Sequence, residues 1–388
     1  MSVTEPKGFT AAGVACGVKA SGDKDLALVA TDDGAPVAAA AVFTANLATA
    51  APVQVSRQHL QATQNRAAAV VLNSGNANAA TGAAGREHAE RMTALTAKEL
   101  GCDPEHVLVC STGLIGIPLP IDAVEQGIPA LAAARTATAG QLAAEAIMTT
   151  DTHAKQTVVR GEGWTIGGMA KGAAMLAPNM ATMLAVLTTD ARVDAAELQR
   201  ALQHAVDRSF NSLSVDGCTS TNDTVIVLAN GRSDTVCEPI AFLDALTEAC
   251  RDLAEQMAGD AEGATKVVRV KVVGATTDHE AAQAARKVAQ SQLVKCSFYG
   301  QDPYWGRVVS ELGTAGVAFD PDAVTIAYGG VVVCHNGVAA AHDEAAVQAH
   351  MAQRVIELTA DLHLGPGEAQ ILTNDLTHAY IDENMGTS

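Results

Sequence analysis

Aromatic side chains are scarce: they make up 3% of the 388 residues, although 48% of the chain is hydrophobic. Much of that apolar content is alanine and valine, so the core must be packed closely from small side chains. Basic residues are also few, 25 against 43 acidic ones, for a formal net charge of −18. This excess of negative charge opposes the phosphate neutralisation on which nucleic-acid binding depends, and no nucleic-acid partner is expected. No apolar stretch approaches the roughly eighteen residues of a membrane span, and the N-terminal segment lacks the apolar core of a signal peptide. A soluble cytoplasmic protein is expected, with no membrane partner.

Cysteine and histidine are present but not arranged for chemistry. The eight cysteines form no C-x-x-C pair and are too sparse for a disulfide scaffold, which leaves them as small buried side chains in a reducing compartment. None of the eleven histidines stands in an H-x-x-x-H or H-x-H arrangement, so no metal site is expected. The sequence has neither a P-loop nor a G-x-G-x-x-G fingerprint, and no redox cofactor is expected. It also has no long Pro/Gly/Ser linker, low-complexity segment or short repeat. The length suits one large domain or two ordinary ones and does not choose between them.

Short apolar runs with strand character recur at 67–73, 106–110, 157–160, 183–188, 224–229, 267–273 and 323–333, several followed directly by Gly, Asn or Ser. Helical periodicity is clearest at 195–210, 242–259, 279–292 and 344–358, where apolar residues return every three or four positions. The pattern predicts a mixed α/β protein.

The most informative stretch is KGAAMLAPNMATMLAVLTTD, residues 171–190. Gly167-Gly168, Lys171-Gly172 and Pro178-Asn179 make an irregular approach to an apolar strand, and Thr182 stands at the junction after Ala181. Strain can be stored at such a place. A buried threonine there can attack the preceding carbonyl, pass through an ester and be released by water as a new N-terminus. Its α-amino group, with an ordinary pKa of about 7.7–8.0, is then a base for its own hydroxyl near neutral pH.

With this stretch, NSGNAN at 73–78, CSTGLIG at 110–116, IMTTDT at 147–152, TSTNDT at 219–224, DAEGATK at 260–266, DPYWGR at 302–307 and DLTHAY at 375–380 resemble the ornithine acetyltransferase (glutamate N-acetyltransferase) family of arginine biosynthesis. The blocks keep their order and spacing across nearly the whole chain. The resemblance implies a layered α/β sandwich of the amino-terminal-nucleophile-like, ornithine acetyltransferase type. It implies cleavage between Ala181 and Thr182 into an α chain, 1–181, and a β chain, 182–388, interlocked in one fold and assembled as two α and two β chains.

Acyl transfer needs a nucleophile, a base and donors aimed at an oxyanion. Thr182 supplies the first two. Thr112-Gly113, where a strand runs into a glycine turn, is the candidate for the third, and the resemblance gives the pair that role. Lys171 suits a substrate carboxylate, and Glu262, in a glycine-containing turn, suits an ammonium or the α-substituent. The resemblance adds Thr149, Asn384 and a C-terminal hydroxyl residue to Lys171, Thr182 and Glu262 as substrate contacts. The family tail separates that Asn from the last Ser or Thr by five residues; here Asn384 and Ser388 are four apart, and Ser388 is preferred to Thr387. Cys218 stands where the family often has a polar residue, and with no base nearby it is not a nucleophile.

The implied reaction is double displacement: N2-acetylornithine acylates Thr182 and leaves as ornithine, then glutamate takes the acetyl group. No cofactor is required. Some members that resemble this chain also accept acetyl-CoA as co-substrate, and the sequence leaves this open. Two alternatives remain: an amino-terminal-nucleophile amidohydrolase or aminopeptidase, in which water is the acceptor, and a non-catalytic α/β binding protein.

Overall fold

The computed structural model describes residues 2–175, 183–233 and 235–386. The chain divides into two compact units, Met1–Asn211 with Cys218–Met257, and Ser212–Gly217 with Ala258–Ser388.

The first unit contains β1 (Phe9–Val14), β2 (Leu26–Thr31), β3 (Val37–Phe43), α1 (Ala51–Ala62), β4 (Arg66–Ala67), β5 (Ala69–Asn76), α2 (Gly82–Leu100), β6 (Val107–Leu114), α3 (Ile121–Ala133), α4 (Gly140–Ala146), β7 (Lys155–Arg160), β8 (Thr165–Lys171), β9 (Leu184–Thr189), α5 (Ala195–Asp207), β10 (Thr224–Ala229) and most of α6 (Pro239–Gly259). They form two sheets, with strand orders β1-β2-β5-β6 and β4-β3-β10-β9-β8-β7. One core lies between the sheets and joins Ala27, Val29, Leu72 and Leu108 to Ala41, Met169, Val186 and Ile226. A second lies behind the first sheet, where Leu28, Val71 and Val109 meet Val55 of α1, Met92 of α2 and Val124 of α3. On the second sheet, Gln199 of α5 bonds both Ala41 N and Ala41 O of β3, and Leu253 of α6 packs over Gly168 of β8.

Small residues allow these layers to approach. A Cβ on Gly13 of β1 would lie 2.0 Å from the Leu142 carbonyl oxygen of α4, and β2, LALVAT, is buried along its whole length. The scarcity of aromatics is thus matched by close packing of alanine, valine and glycine.

The second unit contains β11 (Val267–Ala275), α7 (Asp278–Gln290), α8 (Gln292–Tyr299), α9 (Trp305–Leu312), β12 (Thr325–Tyr328), β13 (Val331–His335), β14 (Val338–Ala339), α10 (Glu344–Met351), β15 (Val355–Asp361), β16 (Gly367–Asn374) and α11 (His378–Glu383). One sheet, ordered β14-β13-β12-β15-β11-β16, places Val268, Val270, Ile356 and Leu358 against Ala281 and Val288 of α7, Phe298 of α8 and Leu312 of α9. The alternation of buried and more exposed residues along β15 is that of a sheet covered on one face.

The layered α/β class matches the expectation, with two corrections to the elements and one to the cysteines. The run at 323–333 is a hairpin, because Gly329 and Gly330 take φ of +55° and +81° and turn β12 into β13. The helical pattern at 344–358 ends at Met351, and 355–358 begin β15 instead. Among the described residues no cysteine is in a disulfide; Cys218 and Cys296 are exposed and Cys16 and Cys102 partly so, against the expectation of uniform burial. Among the described residues no helix is long and apolar enough to cross a membrane.

Candidate active site

The parallel pair β5–β6 ends in a bulge, where Asn76 stands opposite both Thr112 and Leu114. Gly113 takes φ +133°, and a Cβ there would come within 2.3 Å of the Gly75 carbonyl carbon, so only glycine fits. Buried amides brace this corner. Asn73 accepts from Ser111 Oγ at 2.6 Å, and Asn222 donates to the carbonyls of Ser111 at 2.9 Å and Ala77 at 2.6 Å. Thr112 is thereby held at the end of the first sheet.

Lys171, the last residue of β8, is only 3% exposed. Its Nζ donates to Thr149 Oγ1 at 2.6 Å and to Thr112 Oγ1 at 3.3 Å, and lies 3.8 Å from Asp151 Oδ2. An ammonium can only donate, so both threonine oxygens act as acceptors and each keeps its own O–H for another partner. The structure therefore joins Thr112, Thr149 and Lys171 in one network and removes Lys171 from the class of solvated surface charges.

Asp151 is the counter-ion of this network. It also accepts from Lys155 Nζ at 2.6 Å, Gly172 N at 2.7 Å and Thr149 N at 3.0 Å. Burial pushes its carboxyl up, but the ammonium groups of Lys171 and Lys155 and the hydrogen bonds from Lys155 and Gly172 bring it down to about 2. Two lysines around one carboxylate set buried positive charge beside two hydroxyl groups, an arrangement suited to developing negative charge. Lys19 braces the same corner by donating to Met148 O at 2.8 Å. Its own turn is fixed by the buried Asp25 carboxylate, which accepts the N–H groups of Cys16, Gly17, Val18 and Lys19.

Asp223, which sequence reasoning did not single out, lies immediately before β10 and is fully buried. Its Oδ1 accepts from Met183 N at 3.0 Å, the amide that follows Thr182 in the chain. Burial pushes this carboxyl well above its ordinary range, against the opposing pull of the Met183 N–H, the Ser220 hydroxyl and the Lys171 ammonium. The one sequence signal was its place in TSTNDT.

In the second unit Glu262 lies in the turn between α6 and β11, 8% exposed, and its Oε2 accepts from Asn384 Nδ2 at 2.8 Å. The same amide donates to Tyr380 O at 2.9 Å. Gly263 fixes the turn: it takes φ +62°, and a Cβ there would meet Tyr380 N at 2.3 Å. Glu262 and Asn384 are thus brought together across 122 positions of sequence. Ala181, Thr182, Thr387 and Ser388 lie outside the described residues.

The sequence pattern of the ArgJ family matches residues 10–386. Over its full length the chain is 48% identical to the arginine biosynthesis bifunctional protein ArgJ of Streptomyces coelicolor and 47% identical to that of Thermobifida fusca, covering all of each relative. A solved structure of ornithine acetyltransferase complexed with ornithine, from Mycobacterium tuberculosis, is 46% identical, with a TM-score of 0.44; the match covers 46% of this chain and 94% of that one. The chain belongs to the ArgJ family and is an acetyltransferase.

Proposed function

We propose that this acetyltransferase serves arginine biosynthesis by moving the acetyl group of N2-acetylornithine to glutamate, with Thr182 as the acyl carrier after self-cleavage between Ala181 and Thr182. The observation that carries this reading is the buried Lys171 ammonium bonded to Thr112 and Thr149. Thr112, its oxygen engaged by Lys171, keeps a proton to donate to the oxyanion of the tetrahedral intermediate, and the bulge at Gly113 supplies backbone beside it. Lys171 and Thr149 in the first unit are assigned to substrate recognition, Glu262 and Asn384 in the second to an ammonium group, and Ser388 is the preferred terminal contact.

Donor and acceptor differ little in acyl energy, since an amide is broken and an amide is made. The protein must lower a barrier without adding driving force. Ornithine leaves, glutamate attacks the acetyl-threonine, and the free Thr182 hydroxyl returns. An acetyl thioester would load the same oxygen by the same attack, so acetyl-CoA is a second donor to assay.

Purified wild type is expected as two chains, the second beginning at Thr182, and Thr182→Ala as one chain without transfer activity. Intact mass and N-terminal sequencing decide; an uncleaved wild type would overturn the self-processing part. Product analysis with and without glutamate separates transfer from hydrolysis.

A further inference from the structure

The peptide between Met148 and Thr149 is held at both ends. Its carbonyl oxygen accepts from Lys19 Nζ at 2.8 Å, and its N–H donates to Asp151 Oδ2 at 3.0 Å. The peptide is trans, so its C=O and N–H point in opposite directions from one plane, and the two contacts together fix that plane. Thr149 follows directly, and its Oγ1 takes the shorter of the two hydroxyl contacts of Lys171 Nζ, 2.6 Å against 3.3 Å to Thr112. Asp151, at one end of the peptide, is the counter-ion of Lys171. Lys19, at the other end, has no role yet in the chemistry.

Lys19 is anchored along its whole length. Asp25, fully buried, gathers the N–H groups of residues 16 to 19 and fixes the backbone. At the far end a second donation, from Nζ to Lys24 O at 2.9 Å, fixes the ammonium group. Between the ends the stem crosses Gly75, where a Cβ would lie 2.9 Å from Lys19 Cγ. Gly75 is also the residue whose carbonyl carbon a Cβ on Gly113 would strike. The side chain therefore runs from the bulge that carries Thr112 to the peptide that carries Thr149. Burial pushes its ammonium group below the ordinary value, as does Lys171, while Asp25, Asp23 and Asp151 oppose this. A second cation within electrostatic reach of Lys171 is unfavourable by itself, and the hydrogen bonds to two carbonyls offset the cost.

We propose that Lys19 is a positioning residue of the acyl-transfer site, which through the Met148 carbonyl sets the orientation of Thr149 and so the hydroxyl that Lys171 and the substrate share. The inference rests on the reading of Thr149 and Lys171 as substrate contacts. Lys171 engages the Thr149 oxygen as an acceptor, which leaves the O–H for the substrate. That O–H points usefully only while the peptide before it keeps its plane. Without the Lys19 donor the peptide is held at its N–H end alone and can rotate about that contact, which carries the hydroxyl off its line to the substrate.

Lys19→Met keeps the stem over Gly75 and removes the donors, and Thr149→Val keeps the shape of the side chain and removes the hydroxyl. Wild type, both single variants and the double variant are purified, cooperative unfolding is measured on each, and acetyl transfer from N2-acetylornithine to glutamate is followed at varied donor concentration. Lys19→Met is expected to raise KM for the donor by about 10-fold or more, with kcat changed much less. Because Lys19 acts through Thr149, the same substitution made in Thr149→Val should change KM by less than about 2-fold. Lys19→Arg, which can donate to the same carbonyls, should restore most of the loss. Should Lys19→Met not fold, Lys19→Gln, whose amide falls short of the Met148 carbonyl, enters the same cycle. An equal rise in KM in both backgrounds, or wild-type kinetics in the single Lys19 variant, overturns the role of Lys19 alone. Wild-type kinetics in Thr149→Val, or a wild type without transfer activity, overturns the reading of the site and the inference with it.

Discussion

Asp151 carries two buried ammonium groups on one carboxylate, and that makes the fold sensitive to low pH at this residue. Its carboxyl titrates at about 2 in the folded protein against an ordinary 3.8, so over that interval the unfolded chain holds more protons. The resulting stability, about 2 kcal/mol, is fully present above the unfolded value and is lost as pH falls through about 2. Asp151→Asn should cost about 3–5 kcal/mol at neutral pH, because two buried ammonium groups lose the carboxylate they share. It should also flatten the dependence of stability on pH. Denaturant unfolding between pH 7 and the lowest pH at which both proteins fold checks this; equal slopes would contradict it. Much of this residue-scale chemistry was legible: Lys171, Thr112 and Thr149 lie in blocks dense with glycine and hydroxyl residues. Asp223 was not, since an Asp in TSTNDT reads as a turn former, and its burial comes from neighbours that are remote in sequence.

Elements were legible where their pattern was local. The strand at Thr224–Ala229 matches its apolar run to the residue, and α5 begins at the Asp194 cap, which accepts from Glu197 N at 2.9 Å. The early strands were missed. β1 and β3 are rich in alanine, which has little strand preference, and their extended form depends on pairing with β2 and β10. At 344–358 two short elements share one continuous apolar rhythm, so the break at 352–354 is invisible to periodicity. The element most exposed to a single change is the end of β6. Gly113→Ala would put a Cβ into the backbone of Gly75 and hold alanine at φ +133°. A loss of about 1–3 kcal/mol from the dihedral alone is expected, with the clash adding to it and Thr112 displaced. Denaturant unfolding with parallel activity assays checks this; wild-type stability and turnover in the variant would show that the bulge does not position Thr112.

For the whole molecule, the proposed cut before Thr182 would fall between β8 and β9, neighbouring strands of one sheet. β9 and β10, which follow that point, are hydrogen-bonded to β8 and β3, which precede it, so two pieces produced there would share a core. Composition indicated such a close-packed core of small residues, but not the division into two units, because no linker marks it. The division is set by which strands pair, and pairing is not written in any local pattern. What unites the reading is a single covalent intermediate on Thr182. Its most direct test is the intact mass of the chain beginning at Thr182 after brief exposure to N2-acetylornithine, followed by addition of glutamate. The chain is expected to gain one acetyl group, located on Thr182 by peptide fragmentation, and to lose it when glutamate is added and N-acetylglutamate appears. Transfer of acetyl from N2-acetylornithine to glutamate with no acetylated chain detectable under rapid quench, or with the acetyl group on another residue, would contradict the account.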